Sequence, residues 1–230
     1  MVTLFIILYI KKHKSSFIKT LRLLAYNKSF LVKLVLLLTA TLLVGKIALS
    51  QTKNYQYAVK KAGSSIGEIM LTNTILGEAN TVALVSNIKF RFLFLFTATA
   101  KEEVVFINGV MTSSSLYREQ NGDKKTCLKT RKTATGYALA INESKEVDLN
   151  ISSINYQTLS LYVNEPILTQ QVYIDKYKKL LAIQKISSHQ YKVVFPDDNF
   201  NEYFYQDGVC RMVKVHQSLF NVQIELQKIF

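Results

Sequence analysis

The sequence predicts an all-β protein: one large antiparallel meander sheet over residues 51–230, curled into a barrel or half-barrel and preceded by an N-terminal signal or anchor helix. Three observations lead there. Apolar and polar residues alternate with a period of two through much of the chain after residue 51. Turn pairs such as Asn108-Gly109, Asn121-Gly122 and Asp207-Gly208 recur between the alternating runs. A basic, acid-free stretch and a short apolar run open the chain. About a dozen strands in one meander twist too far to stay flat, so the sheet should close or pack on itself.

The apolar run 34–45 is broken by Lys46 and followed by the small-residue site Ala48-Leu49-Ser50 before Gln51. Spanning a bilayer needs ~20 apolar residues, so these twelve are read as a cleaved secretory signal. The alternative is a retained inner-membrane anchor over 34–49, with Lys46 snorkelling to the interface. Ahead of the run, Lys11, Lys12, Lys14, Lys19, Arg22, Lys28 and Lys33 form a basic leader, the polarity that directs the downstream chain outward. Residues 1–50 are therefore leader plus signal or anchor, and 51–230 a single exported domain of the periplasm or outer cell envelope. Membrane contact is expected only through residues 1–50, if they are uncleaved.

Partitioning the charge removes the suggestion of a nucleic-acid partner. Of 29 basic side chains, eight lie in residues 1–50, leaving 21 against all 16 acidic ones and a net +5 for the domain. That is an ordinary solvated surface. The cluster Lys124, Lys125, Lys129, Arg131 and Lys132 would be scattered over both faces of a strand and has no interleaved aromatics.

Taken in order, the first strands are expected at 55–61 and 66–73, joined by a turn at Gly63-Ser64-Ser65, with 52–54 an extended, mobile link ahead of them. A long strand comes next, in which Val82, Leu84, Ile88, Phe90, Phe92, Phe94 and Phe96 share one face and Asn87, Lys89 and Arg91 the other. Phe90, Phe92, Phe94 and Phe96 are thus the candidate wall of an apolar core or cavity. Strands at 103–107, 110–118 and 126–133 flank the two Asn-Gly pairs, of which Asn121-Gly122 closes a hairpin and Asn108-Gly109 is either a hairpin turn or a β-bulge within a strand, and 137–141 and 146–151 close the first half. Alternation weakens after Ile154, and 170–180 has room for a short helix. It recovers at 179–183, 191–195, 202–205, 209–215 and 221–226.

Gly63 with Ile66-Gly67, Phe90-Arg91-Phe92, Phe106 with Asn108-Gly109, Ser113-Ser114, Leu161-Tyr162 with Glu165-Pro166, and Phe195-Pro196-Asp197 with Asn201, Tyr203, Tyr205, Gly208 and Cys210 carry a resemblance. Together they resemble domain-of-unknown-function family 6134, exported proteins of Bacteroidetes-type bacteria. The resemblance implies export and β architecture and brings no catalytic residue.

Chemistry is sparse. Cys127 and Cys210 are candidates for a single disulfide or for two buried free thiols. His216 shares strand parity with Cys210 but lies six residues away, ~20 Å along a straight strand, too far for a dyad. His189 precedes a strand as an ordinary solvated histidine, and Glu165, the one isolated carboxylate in an apolar run, reads as structural. Asp197-Asp198-Asn199 is an Asx turn rather than a calcium loop, because it lacks the further oxygen ligands and the glycine. No catalytic, cofactor or metal site is expected. The expected function is that of a non-enzymatic envelope protein holding an apolar ligand or lipid in the curled sheet. A structural or partner-binding module is the alternative, and an enzyme ranks third.

Overall fold

The computed structural model describes residues 50–91, 95–142, 145–218 and 221–230, with Val32 alone before them. The expected signal or anchor over 34–49 and the basic leader lie outside the described residues. Leu49–Phe230 make up one compact unit.

The first meander comprises β1 (Gln51–Lys61), β2 (Ser64–Leu76), β3 (Ala79–Arg91), β4 (Leu95–Ile107), β5 (Val110–Gln120), β6 (Asp123–Lys132), β7 (Tyr137–Ile141) and β8 (Lys145–Leu149). The second comprises β9 (Gln171–Ile174), β10 (Lys179–Ser187), β11 (Gln190–Val194), β12 (Phe200–Gln206), β13 (Val209–His216) and β14 (Asn221–Ile229). They form one antiparallel fourteen-stranded sheet in the order β8-β7-β6-β5-β4-β3-β2-β1-β14-β13-β12-β11-β10-β9. First strand pairs with last, Tyr55 opposite Ile229 and Val59 opposite Ile224, which joins the two meanders side by side. The all-β meander is as expected, and it is open: β8 and β9 are its two ends and do not pair with each other.

Turn chemistry sets the hairpins. At Asn108-Gly109, Asn121-Gly122 and Asp207-Gly208 both residues have positive φ, the backbone twist that lets a two-residue turn join twisted strands. Inward residues of both halves, among them Tyr57, Leu71, Val82 and Phe106 with Val193, Tyr203 and Val213, belong to one buried cluster, so the sheet curls around its own concave face.

Residues 150–170 link the two sheet ends as a strap against this face. Ile154, Leu159 and Leu161 are fully buried, and α1 (Ser160–Val163) is a single buried turn. A buried irregular segment must find partners for its backbone, and tyrosines of the sheet supply them. Tyr137 Oη donates to Met111 O (2.7 Å) and accepts from Ile154 N–H (3.2 Å), while Met111 N–H donates to Ile154 O (2.8 Å). Tyr57 Oη donates to Tyr162 O (3.3 Å) and Cys210 O (3.1 Å), and Tyr205 Oη to Leu161 O (2.6 Å).

Four expectations are corrected. Residues 52–54 are not a link but part of β1, with Thr52 opposite Thr74 and Asn54 hydrogen-bonded to Phe230. The single long strand running through Phe96 is two strands. Phe90 lies opposite Phe96 and Arg91 opposite Leu95, so the chain reverses between Arg91 and Leu95. Three connecting residues leave strand parity unchanged, so even-numbered residues face inward in both β3 and β4 and the reversal is invisible in the alternation. Residues 170–180 hold β9 and one 3₁₀ turn, Asp175–Tyr177, rather than an α-helix. Finally, a β-bulge between Phe204 and Tyr205 pairs Met212 with Phe204 but Cys210 with Tyr205. The bulge reverses parity: Cys210 and Val213 are both buried, while His216 stacks on the Phe200 ring at 4.2 Å.

Candidate functional site

Between the sheet and the strap lies a cavity of about 430 Å³ that is partly open to solvent. One wall is apolar, formed by Val59, Ile69, Leu84, Ile88, Val222 and Ile224 from the central strands, with Leu159 and Tyr162 of the strap. Tyr162 is wedged edge-on between Tyr57 (5.5 Å between ring centroids) and Tyr203 (6.4 Å), an arrangement that aromatic quadrupoles favour and that fixes the strap's position.

Next to this wall the lining turns polar, Glu102 of β4 standing opposite Leu84 in the β3–β4 ladder. Glu102 and Arg118 face each other from β4 and β5, and Arg118 Nη2 donates to Glu102 Oε1 at 2.9 Å. Beside them the 3₁₀ turn brings in Asp175, which is buried. Its Oδ1 accepts from Ser114 Oγ (2.6 Å) and Thr130 Oγ1 (3.3 Å), and its Oδ2 from Gln157 Nε2 (2.6 Å). Gln157 Oε1 in turn accepts from Leu159 N–H at 2.6 Å, which ties the strap to the carboxylate. Burial pushes the Asp175 carboxyl above its ordinary value, and the charge of Glu102 adds to that; the three hydrogen bonds oppose it without cancelling it.

A second polar cluster stands where the strap turns toward β9. Glu165, with a side chain only 4% exposed, accepts from Tyr191 Oη at 2.8 Å and meets His189 Nδ1 at 3.0 Å. The sequence marked Glu165 and His189 separately, and the structure brings them together. The carboxylate orients the imidazole and fixes its tautomer, and the histidine side chain is 61% exposed. No serine, threonine or cysteine side chain is hydrogen-bonded to His189 among the described residues.

The remaining candidates are placed as follows. Phe90 and Phe96 are half-buried and pack on each other at 5.0 Å. They sit two residues beyond Ile88 and Ala98, which line the cavity, and so form a rim rather than the expected wall. Phe92 and Phe94 lie outside the described residues. On these two strands the core wall is instead Val82, Leu84, Val104 and Phe106. Cys127 in β6 and Cys210 in β13 are buried free thiols and are not brought together; burial pushes the Cys210 thiol up to about 12. Native protein should therefore resist alkylation at both thiols. Without reductant both should react once it is denatured, and a mass showing neither modified after denaturation would establish a bridge. Asp197 accepts from Tyr177 Oη at 2.6 Å, which lowers its carboxyl, within an ordinary turn. Among the described residues no group of three His, Cys, Asp or Glu is placed to hold a metal ion.

Asp175 and the Glu102–Arg118 pair were missed at the sequence level. The one available signal was an acidic residue ending the apolar run Val172-Tyr173-Ile174, since an acid there needs partners that the local sequence does not supply.

The family model described as domain of unknown function (DUF6134) matches residues 57–227. The chain belongs to that family. The match covers the DUF6134 sheet almost from end to end, with both meanders and the strap. No curated protein matches it. A solved structure, the β-barrel-like protein of domain of unknown function DUF1849 from Brucella abortus, is similar with a TM-score of 0.52 at 9% identity, over 80% of this chain and 98% of that one. At that identity the likeness of the DUF6134 domain to it is one of fold.

Proposed function

We propose that this DUF6134 protein is a non-enzymatic binding protein of the cell envelope that holds an apolar small molecule or lipid in the cavity of its curled sheet. The observation that carries the reading is the cavity itself. Its volume of about 430 Å³ is within the range of small-molecule sites, and its mostly apolar lining carries a few polar groups. An apolar molecule leaving water for this wall gains the hydrophobic transfer energy, and the Glu102–Arg118 pair offers a polar end to orient it. Export to the periplasm or outer envelope is supported by the basic leader and the short apolar run before Ala48-Leu49-Ser50.

Lipid extraction of the purified protein followed by mass spectrometry tests for a resident ligand, and displacement of a fluorescent naphthylamine probe tests for the site. Ala100, small and inward-facing in β4, lines the cavity. Ala100→Trp should fill it and weaken probe binding by about tenfold or more, a loss of ~1.4 kcal/mol, with little change in melting temperature. Wild-type protein that carries no ligand and binds no probe, or an Ala100→Trp variant that binds as tightly as wild type, sinks the reading in favour of a structural module.

A further inference from the structure

The charged side chains that line the cavity differ in depth. Glu102 is 13% exposed, whereas Arg118, Lys125 and Lys176 are 45%, 49% and 47% exposed and stand toward solvent. Each of these cations is already engaged. Arg118 Nη2 holds Glu102 Oε1 at 2.9 Å, Lys125 Nζ holds Asp123 at 3.1 Å and Lys176 Nζ holds Asp197 at 3.4 Å. The second oxygen of Glu102, Oε2, has no hydrogen-bond partner among the described residues.

Ser86 is the other open polar group. It is 7% exposed, lines the cavity, and makes no side-chain hydrogen bond among the described residues. A buried hydroxyl without a partner costs free energy, and one that faces a cavity recovers it from whatever occupies the cavity. Leu84 stands opposite Glu102 and Ser86 opposite Ala100, so Ser86 and Glu102 are diagonal neighbours on the inward face of β3 and β4. Positions so related lie ~7–8 Å apart, within reach of one small polar head. An anionic head drawn to Arg118 would meet the Glu102 carboxylate at the same guanidinium, and Glu119 and Asp175 also line the cavity. Like charges repel strongly where water is partly excluded. A donor meets an acceptor that is still free.

We propose that the cavity takes a single-chain amphiphile whose polar end is a hydrogen-bond donor without negative charge, a hydroxyl or an ammonium, set between Glu102 Oε2 and Ser86 Oγ. The chain lies against the apolar wall that contains Val59, Ile69 and Ile224. A volume of about 430 Å³ is near the small end of the ~300–1,000 Å³ typical of ligand sites, which suits one chain rather than two. The assignment rests on the reading of this cavity as a ligand site and adds the chemistry of the head.

Decanol, decylamine and decanoate share a chain and differ in the head. Each is titrated, below micelle formation and at pH 7, into the full-chain protein carrying the naphthylamine probe. Decanol and decylamine should displace the probe at concentrations about tenfold or more below that of decanoate. The tighter of the two then identifies the head as hydroxyl or ammonium. Glu102→Gln should erase the advantage over decanoate, because it removes the carboxylate and releases Arg118. Ser86→Ala leaves every ion pair in place and should weaken decanol several-fold. Decanoate competing as well as the other two overturns the head assignment while the cavity remains a ligand site. So does a folded Glu102→Gln variant with unchanged preference, or decanol binding untouched by Ser86→Ala. Bound probe that none of the three displaces also overturns it, whereas a wild type that binds no probe removes the ligand site itself and this assignment with it.

Discussion

Gly67→Ala should destabilise the domain by at least about 3 kcal/mol, toward the severe end of overpacking substitutions and a large share of a domain's ~5–15 kcal/mol. A Cβ built on Gly67 would stand 2.3 Å from Asn87 O and 2.8 Å from Ile88 Cα. Both are backbone atoms of β3 and have no rotamer to escape into, so the β2–β3 ladder itself must give way. Gly109→Ala serves as the comparison. Nothing lies within 4 Å of a Cβ there, and only the strain of φ +73° is felt, on the order of 1–2 kcal/mol. Urea melts of the two variants measure the difference. A Gly67→Ala cost no greater than that of Gly109→Ala would remove the close approach of β2 to β3, and with it the geometry of the wall containing Ile69 and Leu84.

Asp175→Ala should cost about 3 kcal/mol, because Ser114 Oγ and Gln157 Nε2 would be left buried with lone donors, each costing ~1–3 kcal/mol. The strap should loosen with it, since Gln157 also holds Leu159 N–H. Asp175→Asn separates charge from shape. The folded carboxyl titrates above its ordinary 3.8, so the folded state keeps the proton to a higher pH than the unfolded chain does. Stabilisation from this proton is complete below 3.8 and is lost as pH rises through the folded value. Asparagine does not titrate, and its amide sets a donor against one of the three donors around it. The penalty of Asp175→Asn should therefore be largest in acid and shrink toward neutrality in melts taken across pH ~3 to 8. A penalty that grows with pH would mean that the hydrogen bonds of Ser114, Thr130 and Gln157 outweigh burial and hold the group as an anion.

Local chemistry alone determined much of this protein. Asn121-Gly122 and Asp207-Gly208 accept the positive φ that a tight turn demands, and a period of two between such turns marks strands with a buried face, whereas Asn108-Gly109 was either turn or bulge until β4 paired with β5 across it. The meander and its curl follow from such nearest-neighbour signals. The features that tertiary structure decided have no local signature. The reversal between Arg91 and Leu95 preserves parity and hides in the alternation, whereas the bulge between Phe204 and Tyr205 breaks parity in β13 without a glycine or proline to announce it. Pairing of β1 with β14 joins residues more than 160 positions apart, and no turn encodes it. The strap reads as loop because its backbone partners are tyrosine hydroxyls from β1, β7 and β12, contributed from far along the chain. Asp175 is acceptable in the core only because Ser114, Thr130 and Gln157 converge on it, and Glu165 meets His189 only because the strap's exit lies beside the β10–β11 turn. Turns and faces are set by interactions a few residues long. A cavity and its buried charges are set by which distant strands the curled, open sheet brings near one another.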